Sequence, residues 1–267
     1  MTTTTLPTVF VSHGSPMFAL EPGTSGPALA QFGALLESAS QALRGIVVMS
    51  PHWMARAPSV MTNLAPATWH DFGGFPQPLY QLQYPAPGSA DLGSQVLGLL
   101  ALAGIAAQAD SQRPFDHGAW VPLMHMFPKA NVPVVQVALP VGDGPREVFA
   151  FGHALRSLRA QGVLLLGSGS MTHNLSEFFS GSQSSAAYVD QFSRWVERAV
   201  TQGDLNAMLD YRAQAPHAER AHPSDDHFLP IFFALGAADF GATPAQVRYL
   251  SREVMNVRLA MDSFAVY

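Results

Sequence analysis

Four short aliphatic runs, Thr8–Val11, Gly45–Met49, Val132–Leu139 and Val163–Leu166, constrain the fold more than any other feature of this chain. Each is almost continuously apolar and bounded by Gly or Pro, a pattern that suits strands covered on both faces and not a sheet with one wet side. Between and after them lie segments with helical character, Ala28–Arg44, Ala90–Ala103, Arg146–Arg159 and Ala186–Thr201. In the last, Tyr188, Phe192, Trp195, Val196 and Ala199 share one helical face. Such alternation predicts an α/β fold. We read a single domain over residues 1–267, with a central, largely parallel or mixed sheet covered by helices on both faces. The tail segments Val247–Leu250 and Val257–Tyr267 alternate weakly and are expected to add edge strands.

Only 12% of the residues are charged against 48% hydrophobic, so a large core is easily filled and a disordered chain is excluded. The net charge of −5 comes without any Lys/Arg run, which argues against a nucleic-acid partner. The longest apolar stretch, Val96–Ala107, is shorter than the roughly 20 residues that a membrane span needs and is expected to be a buried helix. The N-terminus has no basic region or signal-like apolar run, so a cytoplasmic location without membrane association is expected. A homo-oligomer is compatible with all of this. With no cysteine, a metal site must draw on His, Asp, Glu or backbone oxygen.

Three histidines fall just beyond predicted strands: His13 in Val11-Ser12-His13-Gly14, His52 in Ser50-Pro51-His52-Trp53, and His173 after Gly167-Ser168-Gly169-Ser170. Open α/β sheets bind ligands outside the carboxyl ends of their strands, so three imidazoles converge on one edge. His227 lies in His222-Pro223-Ser224-Asp225-Asp226-His227, where it would project from the first turn of an apolar helix reaching about Ala237. Ser224, Asp225 and Asp226 suit helix capping, and so does His222. His117, in Asp116-His117-Gly118, falls in a long loop, Ser111–Pro133, where a neighbouring carboxylate could orient it. A second long loop, Trp53–Gly88, holds His70 and several aromatics; Phe72, Phe75, Trp53, Trp69 and Tyr80 could line an apolar pocket. His125, His153 and His217 are expected to be structural. An imidazole cluster suits Zn or Fe. The sequence has no GxGxxG or GK[ST] continuation at Gly167, no GxSxG elbow and no HExxH.

In this order, VFVSHGSPM, SPHW, HDFGGFP, DHGAWVPL, GSGSMTHNL and HPSDDHFLPIFFALGA resemble the 4,5-DOPA dioxygenase-type members of the class III extradiol ring-opening dioxygenases over nearly the whole chain. The resemblance implies one divalent metal per chain, Fe(II) for dioxygenase activity or Zn(II) as bound, and a small catechol plus O2 as substrates. It further implies that His13 and His52 are metal ligands, that His173 is an acid/base residue (or a fourth ligand), and that His117 is a second catalytic histidine. Where the wider class has a glutamate as third ligand, this chain has His227, which gives a three-histidine site. Two alternatives stand beside this reading: a zinc-dependent hydrolase, and a non-catalytic binding protein on the same fold.

Overall fold

A computed structural model describes residues 5–39, 43–179, 186–242 and 246–267. The predicted strands form the middle of one eight-stranded sheet. Strands β1 (Thr8–Ser12), β2 (Gly45–Ala55), β5 (Val134–Pro140) and β6 (Val163–Gly169) run parallel in the order β5-β2-β6-β1. Short strands β3 (Ser59–Met61) and β4 (Gln108–Asp110) extend one side, with β3 antiparallel to β5. On the other side the tail returns antiparallel: β10 (Ser263–Val266) pairs with β1, and β7 (Val247–Ser251) forms the edge. A two-strand ribbon, β8 (Val254–Met255) and β9 (Leu259–Ala260), sits apart from this sheet. The sheet is therefore mixed, as expected, but only one of the two tail segments is an edge.

Both faces are covered. Phe10, Val47, Met49, Val135 and Leu165 pack against α2 (Ala90–Leu102), α4 (Pro145–Leu155), α6 (Ala187–Gln202) and α10 (Pro230–Ala237). Their sequence neighbours Val9, Val11, Ile46, Val48 and Leu164 point the other way, toward α1 (Ser25–Ser38) and α3 (His117–Met126). The two-residue side-chain period of a strand thus divides one apolar run between two cores. Gly152 and Gly236 let α4 and α10 touch: a Cβ on either would run into the other helix's backbone. No helix among the described residues is long and apolar enough to cross a membrane.

Several local expectations are corrected. The first helix begins at Ser25 because the Glu253 carboxylate, from the tail, accepts both the Thr24 and Ser25 N–H groups (2.9 Å each). It ends at Ser38, with Ala39 extended; residues 40–42 lie outside the described residues. The Arg146–Arg159 segment divides into α4 and a 3-10 turn, Arg156–Gln161. The apolar stretch Val96–Ala107 leaves the helix after Leu102 and turns at Gly104 (φ 77°), so Leu102 is exposed and not buried. The supposed loop Ser111–Pro133 contains α3, opened by Asp116, whose carboxylate accepts the Ala119 N–H (3.1 Å). The long segment Trp53–Gly88 holds β3 and a 3-10 turn, Gln77–Gln81. Finally, β2 runs through His52: Ser50 and Met54 pair with the adjacent Ala138 and Leu139, so Pro51, His52 and Trp53 bulge out of the ladder. Pro51 has no N–H to give to that ladder, and a bulge re-aims the side chains it carries.

Candidate metal centre

Five imidazoles meet at the carboxyl ends of β1, β2 and β6. His13 leaves β1, His52 rides the β2 bulge, His117 opens α3, and His173 lies beyond β6. His227 precedes α10 by three residues, in a turn and not in the helix. Ser224 is not its N-cap; Leu229 is, without a side-chain cap bond. A close backbone approach holds that turn. Ser170 N–H donates to the His227 carbonyl (2.8 Å), and a Cβ at Gly169 would collide with the same carbonyl.

Among the described residues, the ligand atoms of His13, His52 and His227 lie within 4.8 Å of one another, and so do those of His52, Asp71 and His117. The rings of His13 lie 5.1 Å from His52, 5.6 Å from His117 and 5.5 Å from His227; His52 and His117 are 3.9 Å apart. His117 is thus inside the cluster. His173 belongs to neither ligand group, but stacks on His227 at 3.5 Å with an interplanar angle of 6°.

The proton positions follow from acceptors behind the rings. Pro122 lies inside α3 and cannot donate to the Gly118 carbonyl four residues earlier. The Ser168 hydroxyl takes that carbonyl instead (2.5 Å), and so must accept from His13 Nδ1 at 3.0 Å. Asp226 Oδ2 accepts His227 Nδ1–H at 2.6 Å. Asp71 Oδ1 accepts both the His117 backbone N–H (2.9 Å) and Nδ1–H (3.0 Å). In each case Nδ1 carries the proton and Nε2 keeps its lone pair, the arrangement a metal-binding imidazole needs. The Nε2 atoms of His13 and His52 approach to 3.1 Å. Without a cation, one must carry a proton that bridges the pair; a divalent metal can take that proton's place.

Burial disfavours the charged form of His13, His52, His173 and His227. His13 is pushed well below the usual imidazole range, first by desolvation and then by the neighbouring rings. Desolvation likewise lowers His52 to about 4 and His227 to about 3, and it lowers His173. Asp226 and Asp71 resist the upward push of their own burial. Hydrogen bonds from His227 and His117 hold both carboxyls below their ordinary range. Neutral imidazoles beside ionised carboxylates form a donor set suited to a divalent cation.

The carboxylate that orients His117 is therefore Asp71, not the adjacent Asp116. Asp116 is wholly buried behind the site, where it accepts from Ser50 Oγ (2.9 Å), Arg113 (2.8 Å) and Gln136. Arg113 in turn donates to the His52 carbonyl (3.1 Å) and lies over the Trp53 and Trp69 rings. Asp226, read as a helix cap, is the partner of His227, while Asp225 pairs with Arg212. His222 is the C-cap of the short helix Ala218–Ala221, its N–H on the Ala218 carbonyl (2.8 Å), while its fully buried ring bonds to the Met171 carbonyl (2.9 Å). His125, His153 and His217 bond to Phe18, Asp239 and Gln191, away from the cluster.

A cavity of about 220 Å³ opens onto His52, His117, His173 and His227. Phe72 and Phe75 line it, as predicted; Trp53, Trp69 and Tyr80 do not. Trp53 is in the core, and Tyr80 steadies the Phe75 loop through its hydroxyl (3.2 Å). Leu175, Phe178 and Phe179, from α5 (Leu175–Phe178) and its end, complete the apolar wall together with Arg258 and Leu259 from the tail. Neither wall could be foreseen, because only the chain path brings those segments over the strand ends.

Comparison with known proteins agrees with this architecture. Residues 7–257 match the family described as the catalytic LigB subunit of aromatic ring-opening dioxygenase. A protein of Beta vulgaris named 4,5-DOPA dioxygenase extradiol is 39% identical over 86% of each chain. One of the same name from Escherichia coli strain K12 is 34% identical over 90% of this chain and 88% of its own. A crystal structure of an uncharacterised Escherichia coli K12 protein superposes with a TM-score of 0.80 at 28% identity, covering 98% of this chain and all of that one.

Proposed function

This chain belongs to the family of catalytic LigB subunits of aromatic ring-opening dioxygenases, and from that premise we propose that it opens small catechols, DOPA-like ones included, in the extradiol manner at a metal held by His13, His52 and His227. The observation that carries the ligand assignment is the pair of Nε2 atoms of His13 and His52, 3.1 Å apart, with Nδ1 of His13 and His227 already committed to acceptors. When bound, the metal would supply a Lewis-acidic template for the two catechol oxygens, and as Fe(II) a path for electron density to dioxygen. Zn(II) fits the same ligands but has no redox step.

The remaining residues handle protons and the ring. Phe72 and Phe75 offer apolar faces to an aromatic substrate, and burial excludes bulk water. His173, kept neutral by desolvation, can accept the proton a catechol hydroxyl loses on binding and return it to the product. Its nitrogens belong to neither group of converging ligand atoms among the described residues, which supports that role over ligation. His117, with Nδ1–H fixed on Asp71, presents Nε2 toward the cluster as a second proton-accepting group. In the overall reaction one ring C–C bond beside the diol breaks, and both atoms of O2 enter the product as an aldehyde and a carboxylate.

The test is anaerobic loading with Fe(II), then oxygen uptake and product formation with a panel of catechols. One O2 consumed per ring opened is expected. Stoichiometric iron with no uptake on any catechol, together with ester or amide hydrolysis by the zinc form, would replace this reading with the hydrolase.

A further inference from the structure

The wholly buried Asp116 belongs to neither group of converging ligand atoms among the described residues, and the proposed proton transfers do not use it. What it holds is the main chain of the site. Residues 51–53 have no register partner on β5, and pairing of β2 with β6 ends at Met49, so the bulge leaves His52 without a ladder partner on either side. A buried main-chain group without a partner is costly, and side chains take over here. The Ser50 hydroxyl accepts the His52 N–H (3.2 Å) and donates to Asp116 Oδ1 (2.9 Å). Arg113 Nη2 donates to the His52 carbonyl (3.1 Å) and to Asp116 Oδ2 (2.8 Å). Both main-chain polar groups of one proposed ligand thus lead back to a single carboxylate.

The same carboxylate opens α3. Its Oδ1 accepts the Ala119 N–H (3.1 Å), which fixes the turn that begins with His117. That turn also presents the Gly118 carbonyl to Ser168, the hydroxyl behind His13. No slack separates it from the bulge, since a Cβ on Gly118 would run into Ser50 Oγ and the His52 ring. Ser50, Arg113, Ala119 and Gln136 together give Asp116 four hydrogen bonds, about as many as a carboxylate can accept. An amide could not replace it, because its NH2 would face other donors. We propose that Asp116 is a positioning residue of this site. Through Ser50 and Arg113 it sets where His52 meets the metal, and through the first turn of α3 it sets His117 and His13 in the same frame. The proposal rests on the metal-centre reading, but two of its three tests need no turnover.

Three variants are compared: Asp116→Asn, Ser50→Ala and, as a control, Leu155→Ala, a core change on the opposite face of the sheet. Zn(II) affinity, from competition with a chromophoric chelator, should fall by about 10–100-fold in Asp116→Asn and about 10-fold in Ser50→Ala. The visible spectrum of the Co(II)-saturated protein reports ligand geometry. It should change in both site variants and stay native in Leu155→Ala, however much stability to urea that variant loses. In Fe(II)-saturated enzyme, kcat for 4-methylcatechol should fall by about 10²-fold in Asp116→Asn, the usual effect of a ~1 Å misplacement. The fall should be smaller in Ser50→Ala, which leaves the α3 turn capped. A native Co(II) spectrum or an unchanged Zn(II) affinity in both site variants would overturn the proposal. So would the same changes in Leu155→Ala, since they would then follow from lost stability alone. If Asp116→Asn does not fold, Ser50→Ala decides by the metal measurements. Should the wild type open no catechol, the ring-opening reading fails, while Zn(II) affinity and the Co(II) spectrum still decide what Asp116 does.

Discussion

Asp226→Asn isolates what the carboxylate behind His227 does. In the native site Asp226 Oδ2 lies 2.6 Å from Nδ1 of a ring that burial keeps neutral, with its pKa lowered to about 3. The ring's one N–H is therefore the proton donated to Asp226, and Nε2 is left as the ligand atom. An asparagine keeps the shape but loses the charge, so a charge-assisted bond worth about 1.5–3 kcal/mol becomes a neutral one worth about 0.5–1.5 kcal/mol. Its amide can also turn its NH2 toward Nδ1, which favours the tautomer that protonates Nε2. Loss of such a supporting acceptor typically weakens metal binding by about 10–100-fold, or ~1.4–2.7 kcal/mol. The assay is competition for Zn(II), a redox-silent probe, against a chromophoric chelator at pH 7.5. Unfolding of the metal-free variant is measured in parallel. The expected result is a Kd raised by about 10–100-fold with near-native stability. Were Asp226 only a helix cap, the pattern would invert, with lower stability and unchanged Kd, and that result would refute the reasoning.

His173→Ala should keep most of its metal while ring opening falls by about 10²–10⁴-fold, the usual worth of a positioned proton-transfer group; metal loss equal to that of His13→Ala would make His173 a ligand. Gly169→Ala drives a Cβ into the His227 carbonyl, so about 1–3 kcal/mol of stability and part of the metal affinity should be lost, read by urea unfolding and chelator competition. Acid should destabilise the metal-free protein. His52 (lowered to about 4), His222 and His227 (both to about 3) stay neutral when folded but take up protons when unfolded. Stability is therefore fully present above about pH 6.5 and lost as pH falls toward 3, so the urea midpoint should drop between pH 7.5 and 5.5. A flat midpoint across that interval counts against neutral burial of these rings.

What was legible in the chain divides along one line. Central strands announce themselves because burial on both faces leaves no polar position in Val47–Met49 or Val163–Leu166. Histidines that follow such strands inherit a place at their carboxyl ends, so His13 and His173 could be located from the sequence alone. His52 was located almost as well, although the bulge that presents it is a property of pairing with β5 and not of its own residues. The supporting acceptors were hidden by the opposite circumstance: each is distant in sequence or looks like something else. Asp71 is 46 residues from the His117 it holds, Ser168 is 155 from His13, and Asp226 has the composition of a helix start. Short segments α3 and α5 were missed because their helicity depends on an Asp or Asn cap and on packing, with too few turns to show a period.

The supports also differ in kind. His227 and His117 lean on carboxylates, whereas His13 leans on a hydroxyl that is itself tied to the Gly118 carbonyl. An ionised acceptor raises the donor strength of a ring nitrogen more than a neutral one does. Asp226 therefore does more for the donor strength of His227 than Ser168 does for that of His13. Among the described residues His52 has no acceptor within hydrogen-bond distance of Nδ1; Asp71 Oδ2 is 3.9 Å away, and the backbone of His52 is held instead by Arg113. Three histidines bring no formal charge to a metal, so the carboxylates Asp226 and Asp71 supply negative charge one bond further out. At the proposed site they would do so without serving as ligands themselves, which would leave room for a doubly oxygenated ring. In that respect Asp226 takes over part of what a glutamate ligand would do, at the cost of a hydrogen bond through the His227 ring. That division of labour explains why the carboxylate lies next to the ligand in sequence and why replacing it should weaken the metal site without dismantling it.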